Sequence, residues 1–252
     1  MSAPSCPICR STCAHFDVVD FNKSCEELHG RPLPPAGIGC TYLLCEGCGF
    51  CFAPEFAAWT RADFMQRIYN DDYLRVDPDY AGARPRANAA SLQSIFGTRA
   101  QALRHLDFGG GDGLLSQLLN AAGWHSTSFD PFADGSASAA TGGRFDLITA
   151  FEVFEHVPDP QHLMAELGTR IAADGIVMFS TSLSDGHITR GGRLDWWYAA
   201  PRNGHISLFS KQSLKTLARN NGVYFGSFSE GFHAFFTQIP PWAAHLFRRE
   251  AP

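Results

Sequence analysis

The sequence predicts an α/β protein: an open, doubly wound and mostly parallel sheet, preceded by a small cysteine-rich head. Three observations carry this. An apolar strand, Leu106-Asp107-Phe108, runs into Gly109-Gly110-Gly111-Asp112-Gly113 and then at once into a helical pattern, Leu114-Leu115-x-x-Leu118-Leu119. Strand-like and helix-like segments then alternate to about residue 238, the pattern of βαβ units. All eight cysteines fall within the first 51 of the 252 residues.

In the head, Cys6-Pro7-Ile8-Cys9 and Cys45-Glu46-Gly47-Cys48 share a two-residue spacing that lets two thiolates of one turn reach a single ion. Cys6, Cys9, Cys45 and Cys48 are therefore the expected ligands of a structural zinc, which prefers four soft ligands in a tetrahedron. The 35 residues between the pairs include the loop-like Gly30-Arg31-Pro32-Leu33-Pro34-Pro35. Cys48 also forms a CxxC with Cys51, but alternation through Phe50 and Phe52 places Cys51 inside a strand. Cys13, Cys25, Cys40 and Cys51 are left without a role. The head is expected to span 1–54, a helical connector or lid 55–98, the main domain 99–239 and a tail 240–252. The connector is rich in aromatic and acidic groups, with a short helix near 60–70 and another over 86–97.

The glycine loop reads as a nucleotide-binding strand–turn–helix. Glycine permits the tight turn and lets a ligand lie against the backbone, while the helix N-terminus presents free N–H groups. A dinucleotide fingerprint needs G-x-G-x-x-G, but counting from Gly109 or Gly111 puts Leu114 or Ser116 at the third glycine, which disfavours an oxidoreductase. Trp124 to Phe129 is a second strand ending in Asp130-Pro131, about 20 residues past the loop, where a carboxylate can accept from ribose hydroxyls. Arg144 to Ala150 is a third strand leading into Phe151-Glu152-Val153-Phe154-Glu155-His156-Val157-Pro158.

This series of motifs resembles class I S-adenosylmethionine (SAM)-dependent methyltransferases over roughly residues 86–230, with a head that looks like the zinc ribbon ahead of some bacterial members. The resemblance implies a Rossmann-like doubly wound sheet with a closing antiparallel hairpin, here Tyr224–Phe228 and His233–Gln238. It implies SAM as cofactor, over Asp107, Gly109, Gly110, Gly111, Gly113, Asp130, Pro131, Phe132 and Phe151, with Asp107 toward the methionine end and Asp130 on the ribose. One departure is plain. Only fourteen Gly/Ser/Ala-rich residues separate Asp130 from Phe145, too few for the usual helix, strand and adenine-contacting acid. The family's third strand is expected to be reduced or absent.

Glu152-x-x-Glu155-His156, with His205 later in the chain, resembles the pattern by which ubiquinone-pathway and small-RNA O-methyltransferases hold a divalent ion. Glu152, Glu155, His156 and His205 are therefore the candidate catalytic residues, and a catalytic divalent cation is a further implied cofactor. Two other readings of these residues stay open: backbone capping and packing, or His156 or His205 acting as general base. Leu194 to Asn203, with Trp196, Trp197 and Tyr198 in succession, is either a substrate wall or packing.

The formal net charge is −5 and there is no basic run, which argues against nucleic acid held through its phosphates. The expected acceptor is a small molecule, glycan or lipid precursor, methylated most readily at a hydroxyl. An RNA methyltransferase and a non-catalytic scaffold are the alternatives. The first residues lack a basic start and an apolar core, and no apolar stretch is long enough to span a membrane, so a reducing cytoplasm is the expected location.

Overall fold

The computed structural model describes residues 4–132 and 143–247. Two sheets organise them. The head carries β1 (Cys13–Asp20), β2 (Gly39–Cys45) and β3 (Cys51–Phe52), paired antiparallel in that order. The main sheet contains β4 (Arg104–Phe108), β5 (His125–Phe129), β6 (Phe145–Phe151) and β7 (Ile171–Ser180). These four are parallel in the order β5-β4-β6-β7, and the closing hairpin follows. Its strands are β9 (Tyr224–Ser227) and β10 (Phe232–Phe236), with β10 inserted antiparallel between β7 and β9.

A further two-residue strand, β8 (Ser207–Leu208), belongs by sequence to the main domain but pairs with β3 of the head. The two parts therefore share a sheet. They also share a core: Cys6, Ile8 and Cys13 are buried in one cluster with Phe154, Phe209, Leu214 and Leu217.

Among the described residues no strand pairs with the outer edge of β5, in keeping with the expected loss of the third strand. Most of the short stretch that motivated that expectation, 133–142, lies outside the described residues.

Most helices form where the sequence places them; the exception is a short helix over 73–76, where the sequence predicts a loop. The connector folds as α1 (Arg61–Arg67), α2 (Tyr73–Val76) and α3 (Ala83–Phe96). Thr60 and Asp63 make a reciprocal capping box at the start of α1, satisfying two donors that the first turn leaves unpaired. α4 (Leu114–Ala121) follows the glycine loop. α5 (Pro160–Arg170) begins with Pro160 inside an Asp159 cap, whose carboxylate accepts from the N–H groups of Gln161 and His162. α6 (Lys211–Asn220) is capped by Ser210, whose side chain accepts from the Ser213 N–H. The tail forms a 3-10 helix over Pro241–Phe247, with Trp242 and Phe247 packed against the core beside α3 and the closing hairpin.

Candidate active site

β4, β5 and β6 end side by side, so the loops that follow them meet at the carboxyl edge of the sheet, where open α/β folds bind ligands. A cavity of about 680 Å³ opens there. Asp107, Gly109, Gly110 and Gly111 line one wall; Asp130, Pro131, Phe132 and Phe151 continue it. Gly113 is not on the lining; it sits at the N-terminus of α4 with φ +82° and turns the chain into the helix. The loop can only be glycine where it matters most. A Cβ on Gly109 would come within 2.5 Å of Val153, and one on Gly110 within 2.4 Å of the Asp107 carboxylate folded beneath it.

Asp130 is fixed at the loop. The Gly111 N–H donates to its Oδ2 at 2.9 Å and the Phe132 N–H to its Oδ1 at 2.7 Å. Phe132 lines the cavity but also packs against Phe64 and Tyr69, with ring centres 6.0 and 5.1 Å apart.

Glu152 and His156 line the same cavity. Glu155 and His205 are buried behind them rather than on the lining. Donor atoms of Glu155, His156 and His205 nevertheless lie within 4.8 Å of one another. Glu152 has left-handed backbone, φ +54°, unusual for a side-chain-bearing residue and typical of strain held at functional sites. The Ser180 hydroxyl donates to its Oε1 at 2.8 Å.

Glu155 Oε1 accepts from the Tyr198 hydroxyl at 2.6 Å, while the buried Oε2 has no partner among the described residues. Burial, and then the neighbouring Glu152, push the Glu155 carboxyl well above its usual range. Burial, with His205 alongside, drives His156 well below the usual imidazole range, so it is neutral. His205 Nδ1 donates to the Tyr198 carbonyl at 2.9 Å, which leaves its Nε2 with a free lone pair. Gly204 allows this packing, since a Cβ there would meet His156 Nδ1 at 2.8 Å.

The connector supplies residues to which the sequence assigns no role in the site: Tyr69 and Tyr80 stand among its aromatic groups, and Asp77 and Arg84 carry no signal of their own. Tyr69 places its hydroxyl 3.2 Å from His156 Nδ1. Asp77 and Arg84 form a two-pronged ion pair, both contacts 2.8 Å, on the cavity wall. The Tyr80 hydroxyl lies over Gly111, 3.0 Å from where a Cβ would be. Their signal was the aromatic and acidic density of 69–84, but no spacing rule ties such residues to a glycine loop some 30 positions away.

The Trp196-Trp197-Tyr198 run does not line this cavity. Trp196 and Tyr198 are buried between head and core, and Trp196 stacks on His187 at 4.7 Å. Arg202 is also buried, donating to the Ile68 carbonyl at 2.9 Å.

In the head, the four expected sulfurs converge within 4.8 Å. Cys6–Cys48, Cys9–Cys45 and Cys45–Cys48 are separated by 3.7, 3.3 and 3.6 Å. A tetrahedral zinc with bonds of about 2.3 Å sets its sulfurs about 3.8 Å apart, so the geometry fits. Cys51 is buried in β3 and outside this group.

Residues 80–224 match the family model described as a methyltransferase domain. A ubiquinone biosynthesis O-methyltransferase from Aromatoleum aromaticum is 34% identical over 101 residues, covering 31% of this chain and 43% of that protein. One from Azorhizobium caulinodans is 32% identical over 116 residues, covering 37% of this chain and 44% of that protein. The chain thus spans less than half the length of the curated relatives it matches. An O-methyltransferase family protein from Burkholderia thailandensis has a similar fold, with a TM-score of 0.51 at 16% identity, over 71% of this chain and 63% of that one. With its glycine loop, acidic second-strand end and closing hairpin, the chain belongs to the methyltransferase-domain family and has the fold of a class I SAM-dependent methyltransferase.

Proposed function

We propose that this protein transfers the methyl group of SAM to a hydroxyl of a small-molecule acceptor. The observation that carries this is that one cavity is lined both by the glycine loop and Asp130 and by Glu152 and His156; the part lined by Glu152 and His156 is read as the acceptor end. The relatives named O-methyltransferases support the oxygen acceptor, and a glycan or lipid precursor is within the same chemistry. SAM supplies an electrophilic methyl group. The chain's part is to hold donor and acceptor in line and to help an unreactive hydroxyl lose its proton.

The cofactor end fits an adenosyl ligand. Gly109 and Gly111 leave the backbone bare, and Asp130 is held in place to accept from ribose hydroxyls.

At the acceptor end, Glu155, His156 and His205, with Glu152 beside them, would hold a divalent cation. The fit rests on the unpartnered Glu155 Oε2 and on the His205 Nδ1–H bond to a carbonyl, which aims a lone pair from the other nitrogen. Mixed oxygen and nitrogen donors suit Mn²⁺ or Fe²⁺ better than Mg²⁺. Such a cation lowers the pKa of an acceptor hydroxyl. The neutral state of His156 serves the same end, leaving a lone pair for a proton or a metal.

The cysteine head would hold structural zinc and brace this end. β3 pairs with β8 two residues past His205, and the Ala53 N–H donates to the Ile206 carbonyl at 2.9 Å.

Calorimetric titration with S-adenosylhomocysteine (SAH) tests the cofactor site: one-to-one binding is expected, and none from a folded sample overturns the reading. Methyl transfer from labelled SAM to a panel of phenols and catechols, with and without Mn²⁺, tests the acceptor end.

A further inference from the structure

Behind the glycine loop lies a buried polar chain that the proposed chemistry does not use. The period-two geometry of β4 puts His105 and Asp107 on the same face. Parallel register sets Ser126 of β5 opposite His105 and Thr149 of β6 opposite Asp107. His105 and Thr149 have no exposed surface and Asp107 has 4%. Ser126 Oγ lies 2.7 Å from His105 Nδ1, and His105 Nε2 lies 3.0 Å from Thr149 Oγ1. The Thr149 hydroxyl donates to Asp107 Oδ1 at 3.0 Å. The Ser116 hydroxyl of α4 closes the far end, 2.8 Å from that of Ser126.

When Asp107 is ionised, hydrogen counting gives this chain a direction. An ionised carboxylate only accepts, and a threonine hydroxyl has a single hydrogen. With that hydrogen on Asp107, Thr149 must accept from His105 Nε2, so Nε2 carries the ring proton. Nδ1 is then the acceptor for the Ser126 hydroxyl, whose one hydrogen is thereby used, so Ser126 must accept from Ser116; a Ser126 hydrogen directed at Ser116 instead belongs to the opposite, Nδ1–H tautomer. Burial pushes His105 down to about 3, so the ring is neutral and has one N–H to place.

We infer that His105 is a positioning residue for the cofactor: its Nε2–H locks the Thr149 hydroxyl onto Asp107 and so keeps that carboxylate ionised for the ammonium group of the methionine end. This rests on the reading that SAM occupies the cavity. Asp107 needs such help. Burial drives its pKa up to about 7, and Asp130 at the end of β5 pushes the same way, while the Thr149 hydroxyl pulls it down. The other charged groups on the cavity wall are Asp112 in the glycine loop, Glu152, Asp159 and Glu166 after β6, and the Asp77–Arg84 pair of the connector, with the imidazoles of His156 and His162 among them. α4 presents Ser116 to the Ser126 hydroxyl and Asn120 to the Ser126 backbone, neither of them charged.

The test is calorimetric titration of the intact protein with SAH and with 5′-methylthioadenosine, from pH 6 to 8. The second ligand lacks the amino acid, so it isolates the ammonium contact. In the wild type, SAH affinity relative to 5′-methylthioadenosine should rise about tenfold over this range. Thr149→Val should move the midpoint of that rise upward by about one pH unit. His105→Phe should move it the same way, and Thr149→Ser should leave it in place. A purely structural role would weaken both ligands together without moving the midpoint, and that result overturns the inference. In the wild type, ¹⁵N NMR of the His105 ring should show the Nε2–H tautomer; the Nδ1–H tautomer overturns the inference even if the variants fail to fold. A wild type that binds neither ligand overturns the cofactor reading. One that binds both with the same pH profile leaves that reading standing and overturns this one.

Discussion

The Tyr42 hydroxyl, on the central strand of the cysteine head, donates to the backbone carbonyl of His205 at 2.6 Å. Tyr42 is fully buried, and the bond spans 163 positions of sequence. It ties a residue of the cysteine head to the backbone of His205, whose side chain packs behind His156. The ties are repeated nearby: the Cys25 N–H donates to the Asn203 side chain, and the Lys23 ammonium to the Trp196 carbonyl. Tyr42→Phe should cost about 1 kcal/mol or more of stability, because the His205 carbonyl is left buried and unpaired. It should leave SAH affinity unchanged while lowering turnover or Mn²⁺ binding. Thermal unfolding, SAH calorimetry and Mn²⁺ titration together check this, and a fall in SAH affinity equal to the loss of turnover would contradict it.

Gly111→Val should abolish SAH binding without releasing metal from the head. Gly111 has φ +55°, a conformation costly for any β-branched residue, and its Cβ would press on Tyr80. Elemental analysis beside calorimetry separates a local defect from unfolding. Retained affinity would refute the assignment of the loop.

The purified protein should contain one zinc per chain, lost on Cys6→Ser or Cys48→Ser. Because β3 also pairs with β8, removing the ion should disturb more than the head. The expected result is a melting temperature lower by several degrees, with hydrogen exchange accelerated over 200–210 as well as over 5–50. Faster exchange confined to the head would show that the shared sheet does not transmit the loss.

Acid should weaken the fold through His233. It is buried on β10, with Nε2 donating to the Thr181 carbonyl at 3.0 Å, and burial lowers its pKa to about 4. A depressed folded pKa means that its contribution is present above the unfolded value of about 6.5 and is lost as pH falls toward 4. Between pH 6.5 and 5 this loss is about 2 kcal/mol. His233→Phe should be less stable at neutral pH yet show a smaller decline over that interval in chemical denaturation. An equal decline in both would remove His233 from the account.

The sequence by itself determined the local devices. The glycine loop and its helix, the Asp130 strand end, the Asp159-Pro160 and Ser210 caps and the paired CxxC turns each depend on residues within a few positions of one another. Their physics is therefore complete in a short window. That no strand pairs beyond β5 among the described residues was legible for a related reason: fourteen residues are too few to hold the usual helix and strand. Tertiary structure alone decided what depends on meeting at a distance. That Tyr198 feeds Glu155 and not the cavity, that Thr149 joins His105 to Asp107, and that β8 leaves the main domain for the head all follow from strand register and chain return. Register is set by the burial of whole faces, summed over the fold, and no local spacing encodes it.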